Sequence, residues 1–198
     1  MERHLRLRKE LREEAGTGYW ACSYLVADFL FGSSIPKDKI IIMKNAIELE
    51  PFKFNRQVRK DMRDEFGLSD RDRAIGCVGR FAYQKNQGFL LRVMKKLHRR
   101  SPGYKLVLVV DGADLDSCKE YVKENNLESA VIFTGYRSDV NRLMMAFDSL
   151  AMPSHFEGLG IALIEAQASG LMCYASEAVP REVGVTENIE FLPLIEEV

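Results

Sequence analysis

From Ala74 onward the chain repeats one pattern: a short, unbroken apolar run, a turn carrying glycine or charge, then a stretch of helical periodicity. The apolar runs are AIGCVG (74–79), KLVLVV (105–110), AVIFTG (130–135), SLAMPS (149–154) and LMCYAS (171–176). The helical patterns between them cover about 86–98, 114–125, 139–146 and 160–168. KLVLVV is continuously apolar rather than alternating, which requires a strand covered on both faces. This alternation predicts an α/β fold, a Rossmann-like doubly wound parallel sheet.

The first 45 residues read differently: a strongly charged helix, a short strand in YWACS, a helix through Phe31 and a second strand in KIIIMKN. Two strands do not make a stable sheet alone, so residues 1–45 are expected to be the remnant of a preceding domain. Residues 46–55 hold Pro51, spaced aromatics and no clear period, and read as a connection. The main domain is then 56–198. Its 46% hydrophobic content suffices for a core. With 28 basic and 29 acidic residues, the net charge of -1 gives no global attraction for nucleic acid or an anionic membrane, so an anion site must be built locally. Cys22, Cys77, Cys118 and Cys173 have no zinc-type spacing and read as free thiols. No apolar run approaches a membrane span, and the charged start has no signal-peptide core, so the expected location is the cytoplasm.

Ligands of open α/β sheets bind beyond the carboxyl ends of the strands. After the first run comes Gly79-Arg80-Phe81-Ala82-Tyr83-Gln84-Lys85-Asn86, two cations directly before a helix. Cations beside free helix N–H groups make a well for a diphosphate; a solvated face with a surface salt bridge would explain the same residues. After the fourth run, Glu157-Gly158-Leu159-Gly160 leads into a helix whose glycines allow close approach of a ligand. Glu165 is the one charge between Leu159 and Met172, placed either to meet a polar ligand or to tie down nearby backbone. His155 reads as structural. Asp111-Gly112 and Thr134-Gly135-Tyr136-Arg137 mark turns at the same sheet edge.

Taken together, VGRFAYQKNQGFLLRV, VVDGADLD and HFEGLGIALIEAQASG resemble the diphosphate loop, the glycine turn and the two-glutamate signature of glycosyltransferase family 4. ACSYLVADFLFG and MKNAIELEPF resemble that family's end of the amino-terminal domain and its linker, and the last residues resemble a capsular and exopolysaccharide branch. The resemblance implies the carboxyl-terminal half of a GT-B fold, with residues 1–45 left from the acceptor-side domain. It implies a retaining hexosyltransferase that uses a nucleoside-diphosphate sugar and needs no metal or other cofactor. Arg80, Lys85 and Glu157 would be catalytic. Gly79, Gly158, Leu159, Gly160 and Glu165 would bind phosphate, sugar and ribose, and Tyr136 and Arg137 the base. The saccharide or lipid-linked acceptor would come through the other domain, so this chain alone is expected to transfer no sugar. No nucleic acid is expected as a partner; peripheral membrane association of the full-length enzyme and a homodimer stay open. Ala46, Glu48, Asp111 and Met172 depart from the family pattern without removing a charge from the site. A non-catalytic nucleotide-binding module and a sugar-nucleotide epimerase of related fold are the alternatives.

Overall fold

The computed structural model of the chain describes residues 18–32, 35–109 and 111–195. These fall into two units, one ending at Ala46 and the other beginning at Ile47. In the first, strands β1 (Tyr19–Ala21) and β2 (Ile40–Ile42) pair in parallel and are linked through helix α1 (Tyr24–Phe31). Ser23 starts the helix, its hydroxyl accepting the Val26 N–H at 3.2 Å. Ala21, Ala27, Phe31 and Ile35 form a small core, while Tyr24, Leu25 and Phe29 on the same short helix are exposed. The charged helix expected nearest the start lies outside the described residues.

The second unit opens with a single 3-10 turn, Glu50–Phe52, whose Phe52 is buried. Residues 47–55 are thus partly built into the domain. Asn55 then caps helix α2 (Arg56–Glu65) by accepting the N–H groups of Gln57 and Val58. The sequence reading places no helix here, because the run RQVRKDMRDE offers only Val58 and Met62 as an apolar stripe.

Beyond it the alternation becomes a fold: β3 (Arg73–Val78), α3 (Gln87–Arg100), β4 (Tyr104–Val109), α4 (Leu115–Glu124), β5 (Val131–Gly135), α5 (Val140–Ala146), β6 (Ser149–Met152), α6 (Ile161–Ala168), β7 (Met172–Ser176) and β8 (Ile189–Leu192). All six strands are parallel, in the order β5-β4-β3-β6-β7-β8. The sheet is covered on both sides, as continuous apolar strands require. On one face Cys77, Leu106, Leu108 and Val131 pack with Leu90, Leu91 and Met94 of α3 and with Cys118 and Val122 of α4. On the other, the Phe147 ring presses so closely on Gly76 that a Cβ there would lie 2.2 Å from it. All four cysteines are free, and burial pushes the thiols of Cys77 and Cys173 up to about 12.

One charged cluster locks α2 to the rest. Arg63, only 4% exposed, donates to the carbonyls of Ala146, Ser69 and Asp72 at 2.9, 2.6 and 2.8 Å and reaches Asp148 at 3.4 Å. Arg59 pairs with Asp148 at 2.8 Å and donates to the Met145 and Phe147 carbonyls. Asp148 in turn accepts the Ala74 N–H at 2.7 Å, at the start of the sheet. Removing one member of such a buried set leaves the others unsatisfied. Arg63→Met should therefore lower the unfolding free energy by about 3–5 kcal/mol in urea denaturation. Lys60→Met, which breaks only an exposed pair with Asp64, should leave it essentially unchanged.

Candidate functional site

The strand order reverses between β3 and β6: the chain steps outward from β3 through β4 to β5, then returns to β6 and continues outward through β7 to β8. At such a point the loops leaving the two central strands diverge and open a crevice at their carboxyl ends. The β3–α3 loop holds Gly79, Arg80 and Lys85; the β6–α6 loop holds Glu157, Gly158, Leu159 and Gly160. The fold thus gathers on its two innermost loops seven of the ten residues singled out from the sequence.

The two loops are joined by side chains. Lys85 Nζ lies 2.6 Å from Glu157 Oε1, with the lysine side chain 20% exposed and the glutamate 6%. Ser154 Oγ donates to the same carboxylate oxygen at 2.6 Å. Gln84 grips the opposite loop from both its ends. Its carbonyl accepts the His155 N–H at 2.8 Å, and its amide donates to the Phe156 carbonyl at 3.1 Å and lies 3.4 Å from Glu157 Oε2. Asn86 donates to the Pro153 carbonyl at 3.2 Å, and the rings of Tyr83 and His155 stack with centroids 4.5 Å apart. The His155 ring thus packs on Tyr83, and the bond to Gln84 comes from its backbone rather than its imidazole.

Each loop also has internal supports. Gln87, 3% exposed, donates to the Gly79 and Arg80 carbonyls at 3.0 and 3.1 Å, and the Gly79 N–H donates to Val109. The methylenes of Lys85 run so close to Gly79 that a Cβ there would meet them at 3.1 Å. The Asp111-Gly112 turn abuts this loop: Phe81 N–H donates to the Asp111 carbonyl, and a Cβ on Gly112 would fall 2.2 Å from the Phe81 oxygen. That glycine is explained by packing. Gly160, at φ 94°, occupies the left-handed region that favours glycine, and no side chain caps the helix α6 that begins after it. Leu159 is buried and seats the loop.

Two charges in this region keep binding capacity. Arg80 is exposed, and among the described residues its guanidinium has no ion pair or hydrogen bond. Glu165, half-buried on α6, likewise has no side-chain partner among them, and desolvation raises its carboxyl above the ordinary value. Arg137 differs. Its guanidinium is held by Asp139 at 2.8 Å and Glu65 at 2.5 Å and lies over the Phe66 ring, so its side chain fastens α2 to the turn after β5. Those partners raise the pKa of Arg137, and Arg137 holds Asp139 below the usual carboxylate range. Tyr136 beside it is 78% exposed. Ser154, Gln84, Asn86 and Gln87 were not legible as site residues; the one hint was polar side chains interrupting apolar surroundings.

Among the described residues no group of three His, Cys, Asp or Glu side chains is placed to hold a metal ion, and no helix is long and apolar enough to cross a membrane. A hollow of about 480 Å³, lined mainly by apolar residues such as Phe89, Val93, Met172 and Tyr174, has neither Lys85 nor Glu157 in its wall.

The family described as Glycosyl transferases group 1 matches residues 58–188. The putative glycosyltransferase EpsF of Bacillus subtilis is 36% identical over 168 residues, 84% of this chain and 44% of that protein. The Escherichia coli UDP-Gal:alpha-D-GlcNAc-diphosphoundecaprenol alpha-1,3-galactosyltransferase is 31% identical over 143 residues, 70% of this chain and 36% of its own length. Among solved structures, Anabaena HepE in complex with UDP-glucose superposes with a TM-score of 0.86 at 20% identity, over 96% of this chain and 54% of HepE. That likeness establishes the fold, one half of a GT-B architecture. The chain spans about half the length, or less, of these three proteins.

Glu165 supplies a test that needs no ligand. Its pKa is higher folded than unfolded, so the folded state binds more protons than the unfolded one above pH 4.5, and stability falls as pH rises through that window. Glu165→Gln removes the penalty. The variant should melt higher than wild type at pH 7, with the difference vanishing at pH 4, in thermal unfolding followed by circular dichroism.

Proposed function

This chain belongs to the glycosyl transferases group 1 family, and from that premise we propose that it is the donor-binding half of a retaining glycosyltransferase. In this reading the crevice between the β3–α3 and β6–α6 loops receives a nucleoside-diphosphate sugar. The observation that carries it is the Lys85–Glu157 contact at the point of strand reversal, with the exposed Arg80 on the same loop. A departing nucleoside diphosphate develops negative charge, and the held Lys85 and exposed Arg80, with the uncapped amides of α6, stabilise that charge as it forms. Glu157 accepts sugar hydroxyls. The backbone of Gly158, Leu159 and Gly160 meets sugar and phosphate oxygens, and Glu165 takes the ribose hydroxyls, which offsets its desolvation.

The base lies along the backbone of Tyr136 and Arg137, since the Arg137 side chain is already engaged. Closure of a second domain over this crevice would orient the acceptor and exclude water. No metal is required where Arg80 and Lys85 supply the positive charge. The name of the Escherichia coli relative, with its GlcNAc-diphosphoundecaprenol acceptor, supports a saccharide or lipid-linked acceptor for the full-length protein. The reading as a non-catalytic module is less favoured, because all four charges of the site are retained at the crevice loops and helix α6.

Titration calorimetry tests the donor reading. Arg80→Ala should weaken nucleoside-diphosphate binding by about 1.5–3 kcal/mol and nucleoside binding far less. Lys85→Ala should show the same selectivity together with a lower melting temperature, because it strands the buried Glu157. Equal losses for nucleoside and diphosphate would place these cations outside the phosphate site. In the same assay Glu165→Gln should shrink the preference for ribose over 2′-deoxyribose nucleotides.

A further inference from the structure

We propose that Ser154 is a positioning residue that fixes which oxygen of Glu157 is offered to the donor sugar; the inference rests on the donor-binding reading above. Lys85 has two tasks in that reading, and they conflict. Its ammonium sits 2.6 Å from Glu157 Oε1, yet it must also turn toward a diphosphate. A carboxylate held by Lys85 alone would follow the ammonium when phosphate arrives. The fully buried Ser154 prevents this by donating its hydroxyl to the same Oε1 at 2.6 Å.

Ser154 is itself anchored from behind. The Ser176 hydroxyl, at the end of β7, donates to the Ser154 carbonyl at 2.5 Å. Both serines are almost inaccessible to solvent, so neither has water as a substitute partner. The result is an asymmetric carboxylate. Oε1 has two short bonds, whereas among the described residues Oε2 has only the Gln84 amide at 3.4 Å, beyond a good hydrogen bond. Oε2 therefore keeps acceptor capacity for a hydroxyl. Loss of the Ser154 hydroxyl would leave Glu157 in the crevice and still paired with Lys85, but free to rotate. Phosphate recognition would survive and sugar recognition would not.

Titration calorimetry on the chain with UDP, GDP and ADP, and with their glucose conjugates as probes, separates these terms. For whichever nucleotide binds, Ser154→Ala should hold its affinity within about twofold and reduce the added affinity of the sugar conjugate by about tenfold. Ser176→Ala should shift the same ratio in the same direction by a smaller factor. A sugar increment that Ser154→Ala leaves intact, the absence of any increment in wild type, or an equal loss for nucleotide and conjugate with a lowered melting temperature would each overturn the positioning role while leaving the donor site standing. Failure of the wild-type chain to bind any of the three nucleotides would overturn the donor reading, and the role of Ser154 with it.

Discussion

A parallel sheet that reverses its strand order has a seam. Neighbouring strands on either side of β3 and β6 are tied by backbone pairing, but the loops above those two strands diverge and must be connected by other means. Here the means are Lys85, Gln84 and Asn86 reaching across to Glu157, Phe156 and Pro153, with the His155 N–H returning the favour to Gln84. The crevice is thereby fixed before any ligand enters. Preorganised charge and dipoles act on a reaction without a reorganisation cost, which is why a seam stitched by polar side chains makes a better site than one closed by apolar packing.

That stitching is also a division of labour between buried and exposed charge. Glu157 and Lys85 are partly desolvated and satisfy each other, while Arg80 is exposed and Glu165 stays half-buried with no side-chain partner among the described residues. The paired charges set geometry. The charges without a partner among the described residues hold free capacity, and in Glu165 desolvation by burial is felt as a raised pKa.

Most of this was readable in the sequence for a physical reason. Strands buried on both faces must be continuously apolar, so β3 to β7 announce themselves, and glycines or charges after them mark the ligand edge. Arg80, Lys85, Glu157 and Glu165 stood out because charge beside or within apolar runs is costly without a purpose. What could not be read is set by contacts between residues distant along the chain. Helix α2 is specified by Asn55 and by partners 83 to 89 positions away, not by its own period. Ser154 and Gln84 acquire their roles only when the two loops meet. The guanidinium of Arg137 was open to the base in sequence, but Glu65, which lies 72 positions earlier, occupies it.

The Arg63 cluster has a bearing on how this polypeptide is made. As the chain leaves a ribosome, α2 and β3 emerge first, yet Arg63 needs Ala146 and Asp148, which follow 83 and 85 residues later. At roughly 5–20 residues per second that interval lasts several seconds. During it Arg63 can reach the Ser69 and Asp72 carbonyls but not Ala146 or Asp148, so α2 lacks its link to that part of the sheet. Asp148, lying directly before β6, is thus a late clasp: the nascent chain stays open on that face until the strand that completes the crevice has been synthesised.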